Sequence, residues 1–357
     1  MSGKRGTHAF GSSVARIIAA VMVCALAACG GGGGGSDDGT SGHTGAAGNP
    51  STITTGTSPS STPATLNSTT PTVTTRAFAA APWMSFYGTV SSLGSTATIA
   101  NTFRVMDVDL DPGAGNFSPS DVAALKANGS NIVLSYLNIG SCENFRTYWN
   151  TVPAGFVSCQ ANTAAHAGSY SGYPDEVWMN PSNPDYQHLI VDYVAPRLVA
   201  QGADGFYLDN LEIVEHGTST SNGPCNAACA QGGLDIVRLL RAKYPSLVIV
   251  MQNATSDVTR LGQTGGVSFA GLLDGIAHEE VYQPNYDAQA EQELLNWESM
   301  NLTPNGHPFW IATLDYVGSC TATALAQAVY ARSRAHGFVP YASDRSGGQN
   351  VVCNWGF

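Results

Sequence analysis

The sequence predicts an α/β protein whose single catalytic domain is a (β/α)8 barrel of the TIM type, placed after a disordered N-terminal tether. From residue 83 onward, short apolar segments alternate with helical patterns, and eight such segments can be counted. No glycine-rich phosphate loop follows any of them. That last observation makes an open, doubly wound sheet the less favoured alternative.

The first 28 residues are predicted to be an export signal. A basic start precedes a short apolar run from Ile17 to Ala28, which is too short to span a bilayer, and small residues stand before Cys29. This pattern is typical of a bacterial lipoprotein signal that is cleaved before Cys29 and lipidated there, with a plain secretory signal as the alternative. We therefore expect an exported protein, anchored at the outer membrane or cell surface through the lipid, or secreted without it.

Residues 29–82 are a low-complexity linker of Gly, Ser, Thr and Pro. This linker lacks the apolar side chains that would offset the entropy of ordering the chain, so we expect a flexible tether. The remaining segment, 83–357, has the length of one large α/β domain, expected to be a monomer.

The charge of the mature chain is strongly acidic. Cleavage of residues 1–28 removes three of the 15 basic residues and none of the 26 acidic ones, which leaves a formal charge of −14. Such a surface repels nucleic acid, so no nucleic-acid partner is expected. It is compatible with a cationic partner.

Six cysteines remain beyond the signal and the lipidation site Cys29, an even number that suggests disulfides in an exported protein. Pairing of sequence neighbours would staple one loop or tail with each bond. The alternative is zinc bound by Cys225, Cys229 and nearby His216, although no second close pair completes such a site. The predicted pairs are Cys142 with Cys159, Cys225 with Cys229, and Cys320 with Cys353.

The elements follow one another as strand and helix, with the helix after the first strand poorly marked. Ser118, Pro119 and Asp121 are typical of a helix start, and Pro196 is expected to kink the helix over 185–201. Further helices are predicted over 234–243, 287–300 and 323–336. The predicted strands are 83–87, 103–107, 131–137, 205–209, 247–252, 275–279, 309–315 and 338–342.

Carboxylates stand at the ends of four of these strands: Asp107, Asp209, Glu279 and Asp315. A single acid there could simply cap a loop, but in a barrel all four would face one mouth. Paired carboxylates, one protonated and one ionised, are the groups that cleave glycosidic bonds. Aromatic residues that could stack on sugars or pack in the core are Trp83, Tyr136, Trp178, Tyr282, Tyr316 and Tyr341.

Other chemistries have weaker support, and no metal or cofactor is predicted. The run His278-Glu279-Glu280 lacks the second histidine of a helical zinc motif. The run from Asp107 to Gly113 resembles part of a calcium loop, but Pro112 stands where glycine is needed and no glutamate closes it. No Gly-x-Ser-x-Gly nucleophile elbow is present.

An ordered series of motifs over roughly 83–345 resembles the endo-α-1,4-polygalactosaminidase family, glycoside hydrolase family 114. His278 and the cysteine-bearing insert at 219–230 depart from the family pattern. The matching pieces are Val105-Met106-Asp107, Leu134 to Gly140 with Glu143 and Arg146, Gly205 to Asn210, Asp274 to Glu280, Leu314-Asp315-Tyr316, and Gly337 to Arg345.

The resemblance implies roles for individual residues. Asp209 is similar to the nucleophile of such barrels and Glu279 to the acid/base, with Glu280 as a rival because strand alternation sends only one of the two glutamates into the mouth. The neighbours implied to bind substrate or set pKa values are Asp107, Tyr136, Glu280, Asp315, Tyr316, Tyr341 and Arg345.

The implied partner is a polysaccharide of α-1,4-linked galactosamine, cleaved within the chain and partly cationic where it is not acetylated. Two alternatives stay open. One is a non-catalytic carbohydrate-binding surface lipoprotein on the same barrel. The other is a hydrolase of a different amino-sugar polymer from a biofilm matrix.

Overall fold

A computed structural model describes residues 78, 81–345 and 348–357. The predicted signal peptide, the lipidation site Cys29 and nearly all of the predicted linker lie outside the described residues. Phe78, which the sequence assigned to the linker, is buried, with its ring centroid 5.1 Å from that of His307 and 5.4 Å from that of Trp310. Ordered packing therefore begins before residue 83.

Eight parallel strands form the central sheet, as predicted. They pair in the order β1-β2-β3-β7-β8-β11-β12-β13, with strands numbered along the chain. Every neighbouring pair in this order is parallel. Their bounds are β1 Trp83–Phe86, β2 Val105–Val108, β3 Ile132–Asn138, β7 Gly205–Asp209, β8 Val248–Gln252, β11 Gly275–Glu279, β12 Trp310–Tyr316 and β13 Val339–Ser343.

The seam between β1 and β13 is joined by individual hydrogen bonds. The indole N–H of Trp83 donates to the carbonyl of Val339 at 2.9 Å. Just beyond the end of β1, the backbone N–H of Tyr87 donates to the carbonyl of Gln349 at 2.7 Å. These contacts bring the first and last strands together and place the chain end against the seam.

Glycine begins two strands of the barrel, β7 and β11, for a steric reason. A Cβ atom on Gly205 would lie 2.1 Å from the carbonyl oxygen of Val248, and one on Gly275 would lie 2.5 Å from that of Trp310. Real Cβ atoms do not approach backbone so closely, so any side chain here would push the adjacent strand away. The strands that end in Asp209 and Glu279 therefore each start in close contact with the backbone of the next strand.

A second, antiparallel sheet follows β3 and was not predicted. Its strands are β4 (Ser141–Glu143), β5 (His166–Ser169) and β6 (Glu176–Met179), arranged in the order β4-β6-β5. A two-stranded ribbon, β9 (Gln263–Thr264) with β10 (Val267–Ser268), completes the described strands.

All three predicted disulfides are confirmed. The bond from Cys142 to Cys159 ties β4 to the loop before β5, and the bond from Cys320 to Cys353 ties the loop after β12 to the chain end. Since Cys225 and Cys229 are joined to each other, they do not provide the thiolates that the zinc alternative requires.

Helices cover the outside of the barrel. The helix after β1 is short, consistent with its weak sequence signal, and the helix before β7 contains a π-helical turn, Leu189–Val194, immediately before the segment that includes Pro196. Within the part of the chain that the structure describes, no helix is both long and apolar enough to cross a membrane. The bounds are α1 Thr96–Thr102, α2 Pro119–Leu125, α3 Pro184–His188, α4 Ala195–Ala200, α5 Ala227–Lys243, α6 Asp257–Arg260, α7 Ala288–Glu298 and α8 Thr323–Ala335.

Candidate active site

Asp209 is the last residue of β7 and is half-buried. The Gln252 side-chain amide, at the end of β8, donates to Asp209 Oδ1 at 3.2 Å. The hydroxyl of Tyr136 and the backbone N–H of Asn210 also bond this carboxyl. Burial and the nearby charge of Glu279 outweigh these donors and raise the pKa of Asp209 to about 7.

Glu279 occupies the matching position at the end of β11. The Asn253 side-chain amide donates to Glu279 Oε2 at 3.0 Å, and its oxygen accepts the backbone N–H of Glu279 at 3.0 Å. The Tyr316 hydroxyl donates to Glu279 Oε1. Glu279 is thus held from both neighbouring strands, while its electrostatic effect on Asp209 places the two carboxyls in one site.

The residue after each of three consecutive barrel strands has a left-handed backbone. The φ angles are 62° at Asn210, 63° at Asn253 and 55° at Glu280. Asparagine tolerates this region better than glutamate does. The N–H of Glu280 donates to the carbonyl of Leu314 at 2.7 Å, so the chain bends directly after Glu279 and Glu280 leaves the strand alternation.

Asp107, at β2, lies on the floor of the site and is fully buried. Its Oδ2 accepts hydrogen bonds from Ser85 and Tyr87, both at 2.7 Å. Burial raises the pKa of Asp107 well above its usual range, and the charge of Asp209 adds to this. Asp107 therefore holds a proton more readily than an exposed aspartate does.

Several buried polar atoms near the two carboxyls have no hydrogen-bond partner among the described residues. Such atoms are rare in folded proteins unless water or a ligand satisfies them. A bound sugar carries several hydroxyls that could do so. The atoms are Asp107 Oδ1, Tyr207 Oη, Glu212 Oε2 and Gln252 Oε1.

The second sheet adds an acid that sequence reasoning missed. Glu176 on β6 accepts hydrogen bonds from Ser141 at 2.7 Å and from the side chain of Asn210 at 3.2 Å, and so contacts the residue next to Asp209. Burial, followed by the charge of Glu143 in the paired strand, raises the pKa of Glu176 to about 8. In the sequence, only Glu143 had pointed to an acidic group in this part of the site.

Glu212 is a second acid that was missed, directly after β7. The Tyr170 hydroxyl donates to Glu212 Oε1 at 3.3 Å, and the Tyr170 ring stacks on Trp178 with centroids 4.1 Å apart. Burial and the charge of Asp209 raise the pKa of Glu212 well above its usual range. Tyr173, in the turn between β5 and β6, is partly exposed, and its ring centroid lies 4.9 Å from that of Tyr170.

Arg146 connects two buried acids and lies against the ring of Tyr136. Its guanidinium pairs with Asp109 at 2.8 Å and with Glu143 at 3.1 Å, and lies 5.4 Å from the centroid of the Tyr136 ring. Asp111 pairs with Arg197 at 3.2 Å. Two of the three acids considered for calcium, Asp109 and Asp111, are therefore paired with arginines in this structure.

Three other predicted residues occupy different environments. Asp315 is buried, and its Oδ1 accepts the backbone N–H groups of Tyr282 at 2.6 Å and Gln283 at 2.9 Å, so it anchors the loop after β11. Burial raises the pKa of Asp315 to about 7. Tyr341 packs in the core beside Trp83, and Arg345 is exposed after β13.

The arrangement is suited to proton transfer at a glycosidic bond. Asp209 and Glu279 interact electrostatically, and each is held by side chains from adjacent strands. When one of two interacting carboxyls keeps its proton and the other is charged, the pair can both donate a proton and stabilise positive charge. No group of three or more His, Cys, Asp or Glu residues suited to a metal ion occurs among residues 78, 81–345 and 348–357.

Fold and site together define a barrel of the glycoside hydrolase class. The chain matches the description of glycoside-hydrolase family GH114 over residues 62–355 and belongs to that family. This confirms the resemblance seen in the sequence.

Two curated relatives, both described as uncharacterized proteins, are similar in sequence to about two thirds of this chain. One from Deinococcus radiodurans is 26% identical over 244 residues, covering 67% of this chain and 73% of that protein. One from Thermotoga maritima is 22% identical over 238 residues, covering 64% and 70%.

Two solved structures share the fold. The glycoside hydrolase domain of PelA from Pseudomonas aeruginosa is 18% identical with a TM-score of 0.54, covering 76% of this chain and 98% of that domain. Ega3 from Aspergillus fumigatus, solved in complex with galactosamine, is 16% identical with a TM-score of 0.54, covering 77% and 94%.

Proposed function

We propose that this protein is an endo-acting glycoside hydrolase of α-1,4-linked galactosamine polymers. The observation that carries the proposal is the placement of Asp209 and Glu279 at the ends of β7 and β11, the two strands that flank β8 in the barrel. Family membership supports glycosidic cleavage as the reaction class.

In this proposal Asp209 is the nucleophile and Glu279 the acid/base. Three donors, from Tyr136, Gln252 and the backbone of Asn210, bond Asp209 and oppose the rise of its pKa, and they would stabilise the charged form that a nucleophile requires. Glu279 would carry the proton and deliver it to the departing glycosidic oxygen. Glu280 is disfavoured as the acid/base because the chain bends before it.

The substrate proposal rests on chemistry and on similarity. Ega3 was solved with galactosamine, and the acidic character of this chain suits a polymer with free ammonium groups. Tyr136, Tyr316 and Arg345 are proposed to contact substrate or its immediate neighbours. Asp107 is proposed to offer Oδ1 to a sugar hydroxyl.

The cellular setting is part of the same proposal. We propose that the chain is exported, is lipidated at Cys29 when the lipoprotein signal is used, and works as a monomer tethered by residues 29–82 at the outer membrane or cell surface.

The decisive experiment is incubation of the protein with partly deacetylated α-1,4-polygalactosamine, followed by mass spectrometry of the products. We expect a ladder of internal-cleavage oligomers, and none from Asp209→Asn or Glu279→Gln. Retained activity in either variant would refute the assigned roles.

A second amino-sugar polymer, β-1,6-linked N-acetylglucosamine, is the matched comparison. Cleavage of that polymer alone would favour the different-substrate alternative. Tight binding without new reducing ends on either polymer would favour the non-catalytic alternative.

A further inference from the structure

The chain end is fastened along the last barrel strand. The disulfide from Cys320 to Cys353 ties residues 348–357 to the loop after β12. The Trp355 indole donates to the carbonyl of Ala342 at 2.8 Å. The segment is therefore held in place at two separate points, next to the seam of the barrel.

Gln349 is the residue of this segment that reaches the site. It is 3% exposed and has a φ of 35°, a region that glutamine rarely adopts. Such a conformation persists only where surrounding contacts require it. Its carbonyl accepts the Tyr87 N–H at 2.7 Å, and its side-chain Nε2 donates to Ser85 Oγ at 3.1 Å.

Those two partners are also the two donors to Asp107. A serine hydroxyl has a single proton, so a hydroxyl that accepts from Gln349 directs that proton to Asp107 Oδ2. The Tyr87 hydroxyl donates to the same oxygen. With both donors on Oδ2, Oδ1 is the oxygen left for a ligand, and it has no partner among the described residues.

We propose that Gln349 is a positioning residue of the active site, which fixes Ser85 and Tyr87 and thereby orients Asp107 Oδ1 toward the bound sugar. The orientation of Asp107 does not depend on which reaction follows, but its effect on turnover rests on the proposed hydrolase function. The titratable groups that face Asp107 are Tyr87, Asp109, Tyr207 and Asp209.

Two substitutions separate this role from a structural one. Gln349→Met keeps the side-chain length without a donor, and Gln349→Gly accepts the positive φ and keeps the carbonyl that bonds Tyr87. We expect both to lower kcat/KM by about tenfold to a hundredfold, as misplacement of a binding group does. Asn350→Ala, in the same segment but exposed, should leave kcat/KM unchanged.

Coupling and orientation can be measured directly. Ser85→Ala should lower kcat/KM as Gln349→Met does, and the double variant should lose little more, because both act through Asp107. The infrared band of the Asp107 carboxyl group, identified by its loss in Asp107→Asn, should shift in both Gln349 variants. Gln349→Gly should keep the wild-type melting temperature.

The two proposals fail separately. An Asp107 band unchanged in both Gln349 variants would overturn the positioning role, whatever the activity. Additive losses in the double variant would overturn it as well. A wild-type protein that cleaves no polymer, while the band still shifts in Gln349→Met, would refute the hydrolase proposal and support the positioning role.

Discussion

Tyr316, at the end of β12, donates its hydroxyl hydrogen bond to Oε1 of Glu279, at the end of β11. The tyrosine is almost fully buried. Burial, together with the Glu279 charge, raises the pKa of Tyr316 well above its usual range, so this residue stays a donor over the whole working range of pH. Glu279 is therefore oriented in part by a neighbouring strand of the barrel, in addition to its contacts with Asn253 after β8.

Replacing Tyr316 by Phe should remove this orientation while keeping the packing of the ring. We expect kcat to fall by roughly tenfold to a thousandfold, in the range found when one catalytic hydrogen bond is deleted, with a smaller change in KM. Steady-state kinetics on the polymer give both numbers. Tyr330→Phe is a suitable control, since that tyrosine lies on α8. An unchanged kcat in Tyr316→Phe would contradict the role assigned to this contact.

Activity should decline on the alkaline side with an apparent pKa of about 7. Burial and the charge of Glu279 raise the pKa of Asp209 to about 7, so above this pH both carboxyls are charged and the proton of the pair is gone. A pH profile of kcat/KM checks this. A profile that stays flat up to pH 9 would show that the reaction does not need that proton.

Removing one of the two charges should stabilise the fold at alkaline pH. A carboxyl whose folded pKa is raised loses stability as pH rises from its unfolded pKa, roughly 3.9, to the folded value of about 7. Asp209→Asn and Glu279→Gln remove that penalty. Each should therefore melt above the wild type at pH 8, by differential scanning calorimetry, and at nearly the same temperature at pH 4.

The guanidinium of Arg146 should be important for both stability and turnover. Arg146→Met leaves Asp109 and Glu143 without their shared cation, and breaking a buried pair costs about 3–5 kcal/mol. Chemical denaturation measures this free energy of unfolding. Arg260→Met, which breaks the pair with exposed Asp257, should cost about 0–1 kcal/mol. Equal losses would contradict the buried role of Arg146.

Asp274 should support stability at the opposite end of the barrel. It precedes β11 and bonds Arg241, His307 and the backbone N–H of Ile249. Burial alone would raise the pKa of Asp274, but these partners lower it. The His307 pKa is raised, since its bond to Asp274 outweighs the opposing effect of burial.

The signs of these shifts define a pH window. The contribution of Asp274 is lost as pH falls below roughly 4, and that of His307 is lost as pH rises above roughly 6.5. Asp274→Asn should lower the free energy of unfolding by about 3–5 kcal/mol inside this window. Asp204→Asn, at the matching position before β7 but less buried, should cost less. A larger loss for Asp204→Asn would contradict this reasoning.

The barrel could be predicted because its strands are apolar runs buried on both faces, as in 205–209 and 248–252. The second sheet could not, because strands of three or four residues such as Ser141–Glu143 carry too few positions to show a period. Glu176 was missed with it. The contacts of Gln349 were missed for another reason: they join positions 264 residues apart along the chain.

The positions of Asp209 and Glu279 could be predicted because both stand at strand ends, but the hydrogen-bond partners of their carboxyl groups could not. In the sequence, Gln252 and Asn253 are simply polar residues at the end of a strand. Only the pairing of β8 with its neighbours brings them to Asp209 and Glu279. Tyr341 shows the opposite case, since its place in the series suggested the mouth while its side chain packs in the core.

The bends at Asn210, Asn253 and Glu280 have a practical consequence for protein engineering. Asp209, Gln252 and Glu279 are the last residues of their strands, the supporting Asn253 stands at a bend, and the loops begin after the bends. Replacing the loops beyond these three positions with those of a relative would leave the carboxyl pair and its hydrogen-bond partners in place. Variant libraries aimed at new polymers can therefore vary only the loops after these three positions and keep the sequence of the barrel constant.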